Sequence, residues 1–96
     1  IIKAWASTNS SGSGSIPSQG GINLIINNPS AGTFDYTFRN NMANDDYAVF
    51  VTIEANVNAL APLVINKTTS GFTVLTRNSG AAPTDYNHSV MVIGAQ

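Results

Sequence analysis

Apolar and polar side chains alternate with a period of two along most of this chain, and no stretch keeps the 3.6-residue period of an amphipathic helix. In residues 33–39, for example, Phe34, Tyr36 and Phe38 share one face, because successive side chains of a strand point to opposite sides. This pattern predicts strands and argues against helices. The predicted strands are Ile2 to Ser7, Ile22 to Asn27, Thr33 to Arg39, Tyr47 to Glu54, Pro62 to Asn66, Phe72 to Asn78 and His88 to Gly94.

Short stretches rich in Asn, Gly, Pro and Ser separate these segments, as in Asn28 to Gly32 and Asn78 to Gly80. Gly and Asn tolerate positive φ and Pro presets φ, so such stretches reverse the chain at little cost. Strands joined by turns are typical of an antiparallel β-sandwich. We therefore predict an all-β fold, a sandwich of about seven short strands in a single domain over residues 1–96, with a barrel as the open alternative.

The tract Ser7 to Gly21 is the most polar part of the chain, with six Ser and four Gly among its fifteen residues. Such a composition buries too little apolar surface to offset the entropy lost on ordering. The six residues before it alternate like a strand that pairs with the later chain. We predict that the tract is a long internal loop rather than a linker between domains.

Charged residues are scarce, with four Lys and Arg and five Asp and Glu among 96 residues and a net charge of -1. Nucleic-acid binding needs clustered basic side chains to displace phosphate counterions, so nucleic acid is excluded as a partner. No apolar run approaches the roughly 20 residues of a membrane-spanning helix. The chain has no Cys, which excludes disulfides and thiolate metal sites. We expect no cofactor.

The residues around the single histidine form the candidate ligand site. Amide, carboxylate, imidazole and tyrosine groups can hydrogen-bond to a sugar and stack on its apolar ring face, and an arginine can clamp the carboxylate of an acidic glycan. The alternative is a histidine near solvent in a loop or at a strand start, beside solvated polar groups. The predicted ligand-binding residues are Arg77, Asn78, Asp85, Tyr86, Asn87 and His88.

A second candidate surface lies on the first and last strands. The segment Val90 to Ile93 is apolar on both faces, which is typical of a central strand covered twice, by the other sheet and by another subunit. Trp5 is a lone aromatic residue on the first strand, suited to the core or to a subunit contact. We predict a subunit interface that includes Trp5, Met91 and Ile93.

Two other kinds of site have weaker support. The stretch Asn40 to Asp46 offers several oxygen donors to a hard cation, but it lacks the order of an EF-hand loop, so we assign no metal ligands to it. No nucleophile elbow accompanies the histidine. A polysaccharide hydrolase needs two carboxylates about 5 to 9.5 Å apart, and no pair stands out. The acidic residues available for that role are Asp35, Asp45, Asp46, Glu54 and Asp85.

Five motifs follow one another in a fixed order along the chain. They are Lys3-Ala4-Trp5-Ala6, Gly32-Thr33-Phe34-Asp35-Tyr36-Thr37-Phe38, Met42 with Tyr47-Ala48-Val49, Thr69-Ser70-Gly71-Phe72-Thr73-Val74 and Ser89-Val90-Met91-Val92-Ile93-Gly94. This succession resembles the C-terminal domain of bacteriophage tail fibres and related tail adhesins, whose strand layout is similar to that of H-type lectin sandwiches. The likeness covers nearly the whole chain apart from the Ser and Gly tract.

This resemblance implies a virion protein at the tip of a tail fibre, assembled as a homotrimer and contacting a polysaccharide or receptor on the host surface. The chain would then be the C-terminal piece of a longer fibre protein, which agrees with the absence of an initiator Met. The resemblance assigns no residue of this chain to a receptor site. Two alternatives stay open, a trimerisation or capping domain without a ligand and a polysaccharide-degrading enzyme, but we expect a protein that is not an enzyme.

Overall fold

A computed structural model describes residues 2–8, 18–54 and 59–94 of the chain. In these ranges it contains eight strands and no helix, and therefore none that could cross a membrane. The strands are β1 (Ile2–Thr8), β2 (Ser18–Ile22), β3 (Leu24–Ser30), β4 (Thr33–Phe38), β5 (Tyr47–Ile53), β6 (Leu63–Thr68), β7 (Gly71–Leu75) and β8 (His88–Gly94).

The strands form two antiparallel sheets of four. Sheet A has the order β2-β1-β8-β5, and sheet B has the order β3-β4-β7-β6. The two sheets pack face to face, so the predicted sandwich is confirmed and the barrel is not formed. The predicted central position of the last strand is also confirmed, because β8 pairs with β1 on one side and β5 on the other.

The core consists of side chains that alternate inward from both sheets. Phe34, Tyr36 and Phe38 on β4 are all buried, as the alternation predicted. The ring of Phe72 on β7 stacks on Tyr36 with a centroid separation of 5.2 Å, and the ring of Tyr47 on β5 meets Phe38 edge-on at 5.3 Å. Aromatic pairs in these geometries add stabilisation beyond the area they bury. The Phe38–Tyr47 pair joins sheet B to sheet A, whereas Tyr36 and Phe72 lie on neighbouring strands of sheet B.

The predicted loop Ser7 to Gly21 is wrong at both ends. Ser7 and Thr8 continue β1, and Ser18–Ile22 forms β2, which pairs with β1 at the edge of sheet A. Pairing is possible despite the polar composition because Gly21 lets the two backbones approach closely: a Cβ there would lie 2.5 Å from the Trp5 carbonyl oxygen. Residues 9–17 of the predicted loop lie outside the described residues.

Strand β6 departs from the alternation because all six of its residues are exposed. Leu63, Val64 and Ile65 are 37 to 43% exposed although β6 pairs with β7 along one edge. β6 is the edge strand of sheet B and lies next to β5, the edge strand of sheet A. The apolar core is therefore open along this side of the sandwich.

Candidate functional site

The predicted ligand-binding residues fall on residues 76–87, the connection between β7 and β8, and on the first residue of β8. The connection begins at Thr76, which is fully buried. The Thr76 N–H donates to the Gly32 carbonyl at 2.8 Å, and its hydroxyl donates to the carbonyl of Thr84, whose own N–H returns a bond to the Thr76 carbonyl at 3.2 Å. These bonds close the connection into a ring and attach it to the turn between β3 and β4.

Asn78 shapes the tip of the connection. Its side-chain oxygen accepts the backbone N–H groups of Gly80 at 2.9 Å and Ala82 at 3.1 Å. Its backbone N–H donates to the Ala82 carbonyl, and its carbonyl accepts from Ala81. A side chain that replaces the hydrogen bonds of a turn in this way holds the turn in one conformation. The carboxamide oxygen of Asn78 is thus engaged within the protein.

Asp85 anchors the other half of the connection. One carboxylate oxygen accepts the Gly32 N–H at 2.6 Å and the Asn28 side-chain amide at 3.2 Å. The Asn28 side chain is fully buried and also donates to the Thr33 carbonyl at 2.7 Å. Charge-assisted bonds of this kind are among the stronger ones in proteins. Asp85 therefore ties the connection to the β3–β4 turn.

Gly32 is the only residue type that this junction accepts. Its φ of 72° is left-handed, and a Cβ there would clash with the Thr76 carbonyl oxygen and lie 2.8 Å from the Thr84 nitrogen. Glycine alone combines that φ with so close an approach of two backbones. The glycine that begins the motif Gly32-Thr33-Phe34 is therefore required by the backbone conformation and close packing at this junction.

His88 stands at the start of a strand, but the expectation that such a histidine lies near solvent is wrong. Its side chain is fully buried between the sheets. The ring Nδ1 is 2.8 Å from the Tyr86 carbonyl oxygen, and Nε2 is 2.7 Å from the Tyr36 hydroxyl, which is itself 2.7 Å from the hydroxyl of Thr8. Sequence analysis missed this arrangement because β1, β4 and β8, which contribute its side chains, are far apart along the chain.

The hydrogen-bond pattern assigns the protons of this chain of side chains. A carbonyl oxygen only accepts, so Nδ1 carries the proton and donates to Tyr86. Nε2 of a neutral ring then accepts from the Tyr36 hydroxyl, whose oxygen accepts from Thr8. Burial lowers the pKa of His88 against the smaller opposing effects of the Tyr86 hydrogen bond and the Glu54 and Asp85 charges. Burial also raises the pKa of Tyr36 well above its usual range.

Arg77, Tyr86 and Asn87 remain at the surface of the connection. The guanidinium of Arg77 makes one long contact, 3.5 Å from the Ala61 carbonyl, and its buried Nε has no hydrogen-bond partner among the described residues. Tyr86 is half-buried and Asn87 is exposed. The backbone carbonyls of both are engaged, Tyr86 with His88 and Asn87 with the Glu54 N–H at 2.7 Å. Their side chains are therefore carried on a fixed backbone.

The predicted interface residues share the outward face of sheet A. Trp5 is paired with Met91 on β8, and Ile93 lies two residues further along the same face. Trp5 is 38% exposed and Met91 is 37% exposed.

Two residues that the sequence analysis left out extend this surface. Ile22 pairs with Trp5 from β2, and Phe50 pairs with Met91 from β5, so that one apolar side chain from every strand of the sheet lies in a single row. Phe50 was identifiable as an apolar residue on the otherwise polar face of its strand. We call Ile22, Trp5, Met91 and Phe50 the apolar row.

The open side of the sandwich has a groove of about 250 Å³ lined by Val49, Val64, Ile65, Asn66 and Lys67. The Lys67 ammonium crosses from β6 to β5, donates to the Tyr47 carbonyl at 2.7 Å and lies 5.1 Å from the centre of the Tyr47 ring. A cation over an aromatic face is attracted by the negative charge of that face. This contact joins β6 to β5 beside the groove.

The acidic residues considered for catalysis or cation binding form hydrogen bonds to different parts of the protein. Asp35 accepts from the Thr73 hydroxyl, and Glu54 accepts from Ser89. In the stretch from Asn40 to Asp46, the Asn44 side chain accepts the Asp46 N–H, which forms a local turn. Within residues 2–8, 18–54 and 59–94, no three His, Cys, Asp or Glu side chains are grouped closely enough to hold a metal ion.

Comparison of the chain with models of protein families, with curated proteins and with solved structures gave no match.

Proposed function

We propose that this chain is a non-enzymatic attachment domain of a bacteriophage tail fibre, which binds an acidic glycan of the host surface through the connection 76–87 and acts as a homotrimer. One observation carries the proposal: the connection is held at its base, middle and tip by Thr76, Asp85 and Asn78, while other polar side chains stay at the surface. Loops that are positioned by a rigid scaffold are the usual carriers of binding function. The resemblance to tail adhesins supplies the biological setting.

The chemistry of the remaining side chains favours a glycan that carries carboxylates. The guanidinium of Arg77 makes one long hydrogen bond, at 3.5 Å, to the Ala61 carbonyl, and a guanidinium binds a carboxylate through two parallel hydrogen bonds. Tyr86 offers an apolar ring with a polar tip, which suits the two faces of a sugar. Asn87 is exposed beside it. In this proposal Asn78, Asp85 and His88 set the shape of the site, and Arg77, Tyr86 and Asn87 contact the ligand.

A trimer would bind the host surface with a higher overall affinity than its individual sites have. Three copies on one fibre give later contacts a high effective concentration once the first is made. The apolar row supplies an interface for this assembly, because a contiguous apolar patch on a sheet face is uncommon on a monomer. It also favours the second candidate function, a trimerisation or capping domain that binds no glycan.

A glycan array probed with the oligomeric domain separates the two candidate functions. We expect binding to glycans with uronic or sialic carboxylates, at least tenfold weaker binding by Arg77→Ala and by Tyr86→Ala, and unchanged binding by the control Arg39→Ala, which removes an exposed arginine after β4. If the protein forms a trimer but binds none of the glycans, the attachment function is contradicted and the capping function is supported. Release of reducing sugar from a bound polysaccharide would contradict both.

A further inference from the structure

We propose that His88 is an acid-sensitive latch that fastens the connection 76–87 to the core at neutral pH and releases it when the ring is protonated. The proposal concerns regulation of the proposed ligand site and, for its effect on binding, rests on the proposed function. It is carried by the position of His88, which is fully buried and hydrogen-bonded on both ring nitrogens.

The latch joins three parts of the molecule. Through Nε2 the ring bonds to Tyr36 on β4 of sheet B, while its own strand, β8, belongs to sheet A. Through Nδ1 it holds the Tyr86 carbonyl at the end of the connection. One side chain therefore links the two sheets to each other and to the segment that carries the proposed ligand contacts.

Protonation is incompatible with the neutral hydrogen-bond pattern. A proton on Nε2 turns that atom into a donor, so the Tyr36 hydroxyl must point towards Thr8, and the Thr8 hydroxyl loses its acceptor. Thr8 and Tyr36 are each 2% exposed, so the displaced hydroxyl does not reach water without movement of the strands. A buried polar group without a partner is costly, and a buried cation is more so.

Burial outweighs the charges around the ring and sets the direction of the response. Glu54, at the end of β5, and Asp85, in the connection, favour the protonated ring, whereas burial between the sheets disfavours it more strongly. The other titratable partner, Tyr36 on β4, stays neutral at any pH near neutrality. The cation is therefore accommodated by moving the ring towards water, and the Nδ1–H bond moves the Tyr86 backbone with it.

This movement would act on the ligand site. Tyr86 and Asn87 are held by three attachments, which are the carboxylate of Asp85, the ring of His88 and the hydrogen bond from the Glu54 N–H to the Asn87 carbonyl. Loss of the ring leaves the other two, so the segment that presents both side chains is held less firmly. Acid would therefore weaken glycan binding before the sandwich itself unfolds.

Nuclear magnetic resonance of the wild-type protein without ligand tests the latch directly. His88 is the only histidine, so its ring C–H signal is unambiguous. We expect that signal to titrate below the ordinary value of 6.5. At the same midpoint, the amides of Thr84 and Glu54, which donate to the Thr76 and Asn87 carbonyls, should lose at least tenfold of their exchange protection after correction for intrinsic rates. The amides of Val74 and Val92 in the core strands should keep theirs.

The variant His88→Gln provides the control, because an amide can donate and accept but does not titrate in this range. It should show no acid step in the amides of Thr84 and Glu54. The latch is overturned if the ring titrates while those amides stay protected, if the ring stays neutral until the core amides also exchange, or if His88→Gln keeps the acid step. None of these measurements uses a glycan, so they test the latch even if the proposed function is wrong.

Discussion

Trp5 and Met91 lie directly opposite each other on neighbouring strands, and both side chains point out of sheet A rather than into the core. The buried residues of the same two strands, Ala4 and Val92, point the other way. The outward pair is extended by Ile22 and Phe50 into a row that crosses the whole sheet. In a single copy of the chain, these apolar side chains are in contact with water.

We expect Phe50→Ser to weaken self-association at least about tenfold, which corresponds to about 1.4 kcal/mol, because large aromatic side chains dominate the energy of interfaces. The measurement is the dissociation constant by analytical ultracentrifugation. Thr52→Ser is the matched control, since Thr52 is also exposed on the outward face of β5. Equal dissociation constants for Phe50→Ser and the wild type, or a wild-type monomer at micromolar concentration, would contradict the interface.

We expect Asp85→Ala to lower the free energy of unfolding by about 1.5 to 3 kcal/mol, the usual contribution of hydrogen bonds to a charged group. The change leaves the Gly32 N–H and the Asn28 amide without their shared acceptor. Urea denaturation measures the effect. Asp45→Ala removes an exposed carboxylate from another loop and should change stability by less than about 0.5 kcal/mol. Similar losses in both variants would refute the anchoring role.

We expect Gly32→Ala to destabilise the fold by about 1 to 3 kcal/mol, because a Cβ there would be both strained by the positive φ and pressed against the Thr76 carbonyl. Gly80→Ala is the comparison, since its nearest contact would be the Asn78 side-chain oxygen at 3.3 Å. Thermal denaturation should show the larger loss for Gly32→Ala. A smaller loss than for Gly80→Ala would show that the junction tolerates a side chain.

We expect stability to fall as the pH drops below about 6.5, the ordinary pKa of histidine, because the unfolded chain takes up a proton there while the folded chain does not. Because the pKa of His88 is lower in the folded chain than in the unfolded chain, the neutral ring contributes its full stabilisation above about pH 6.5. That stabilisation is lost as the pH falls towards the pKa of the folded chain. The slope is at most about 1.36 kcal/mol per pH unit.

Urea denaturation between about pH 7.5 and pH 5 measures this loss. His88→Gln should flatten the slope in this interval. An unchanged slope in the variant would assign the loss to other groups.

The alternation of side chains was enough to predict the all-β sandwich and the inward face of β4, because a strand buried on one face must place its apolar residues two apart. The central position of β8 followed from its apolar character on both faces. The Ser and Gly tract hid β2 because that strand is held by backbone pairing with β1, to which side-chain hydrophobicity contributes little. Composition is a poor guide to such edge strands.

For the candidate site, the sequence determined which chemical groups are present around His88 and on the outward face of Trp5 and Met91, since residue type alone fixes donors, acceptors and apolar area. Only the tertiary structure decided that Asn78, Asp85 and His88 support the connection while Arg77, within the part of the chain that the structure describes, keeps a buried donor without a partner. Gly32, the partner of Asp85, and Tyr36, the partner of His88, lie about fifty residues away along the chain, and burial of the histidine depends on how two sheets pack. Local sequence carries no record of that packing, because it is set by contacts between strands that meet only in the folded protein.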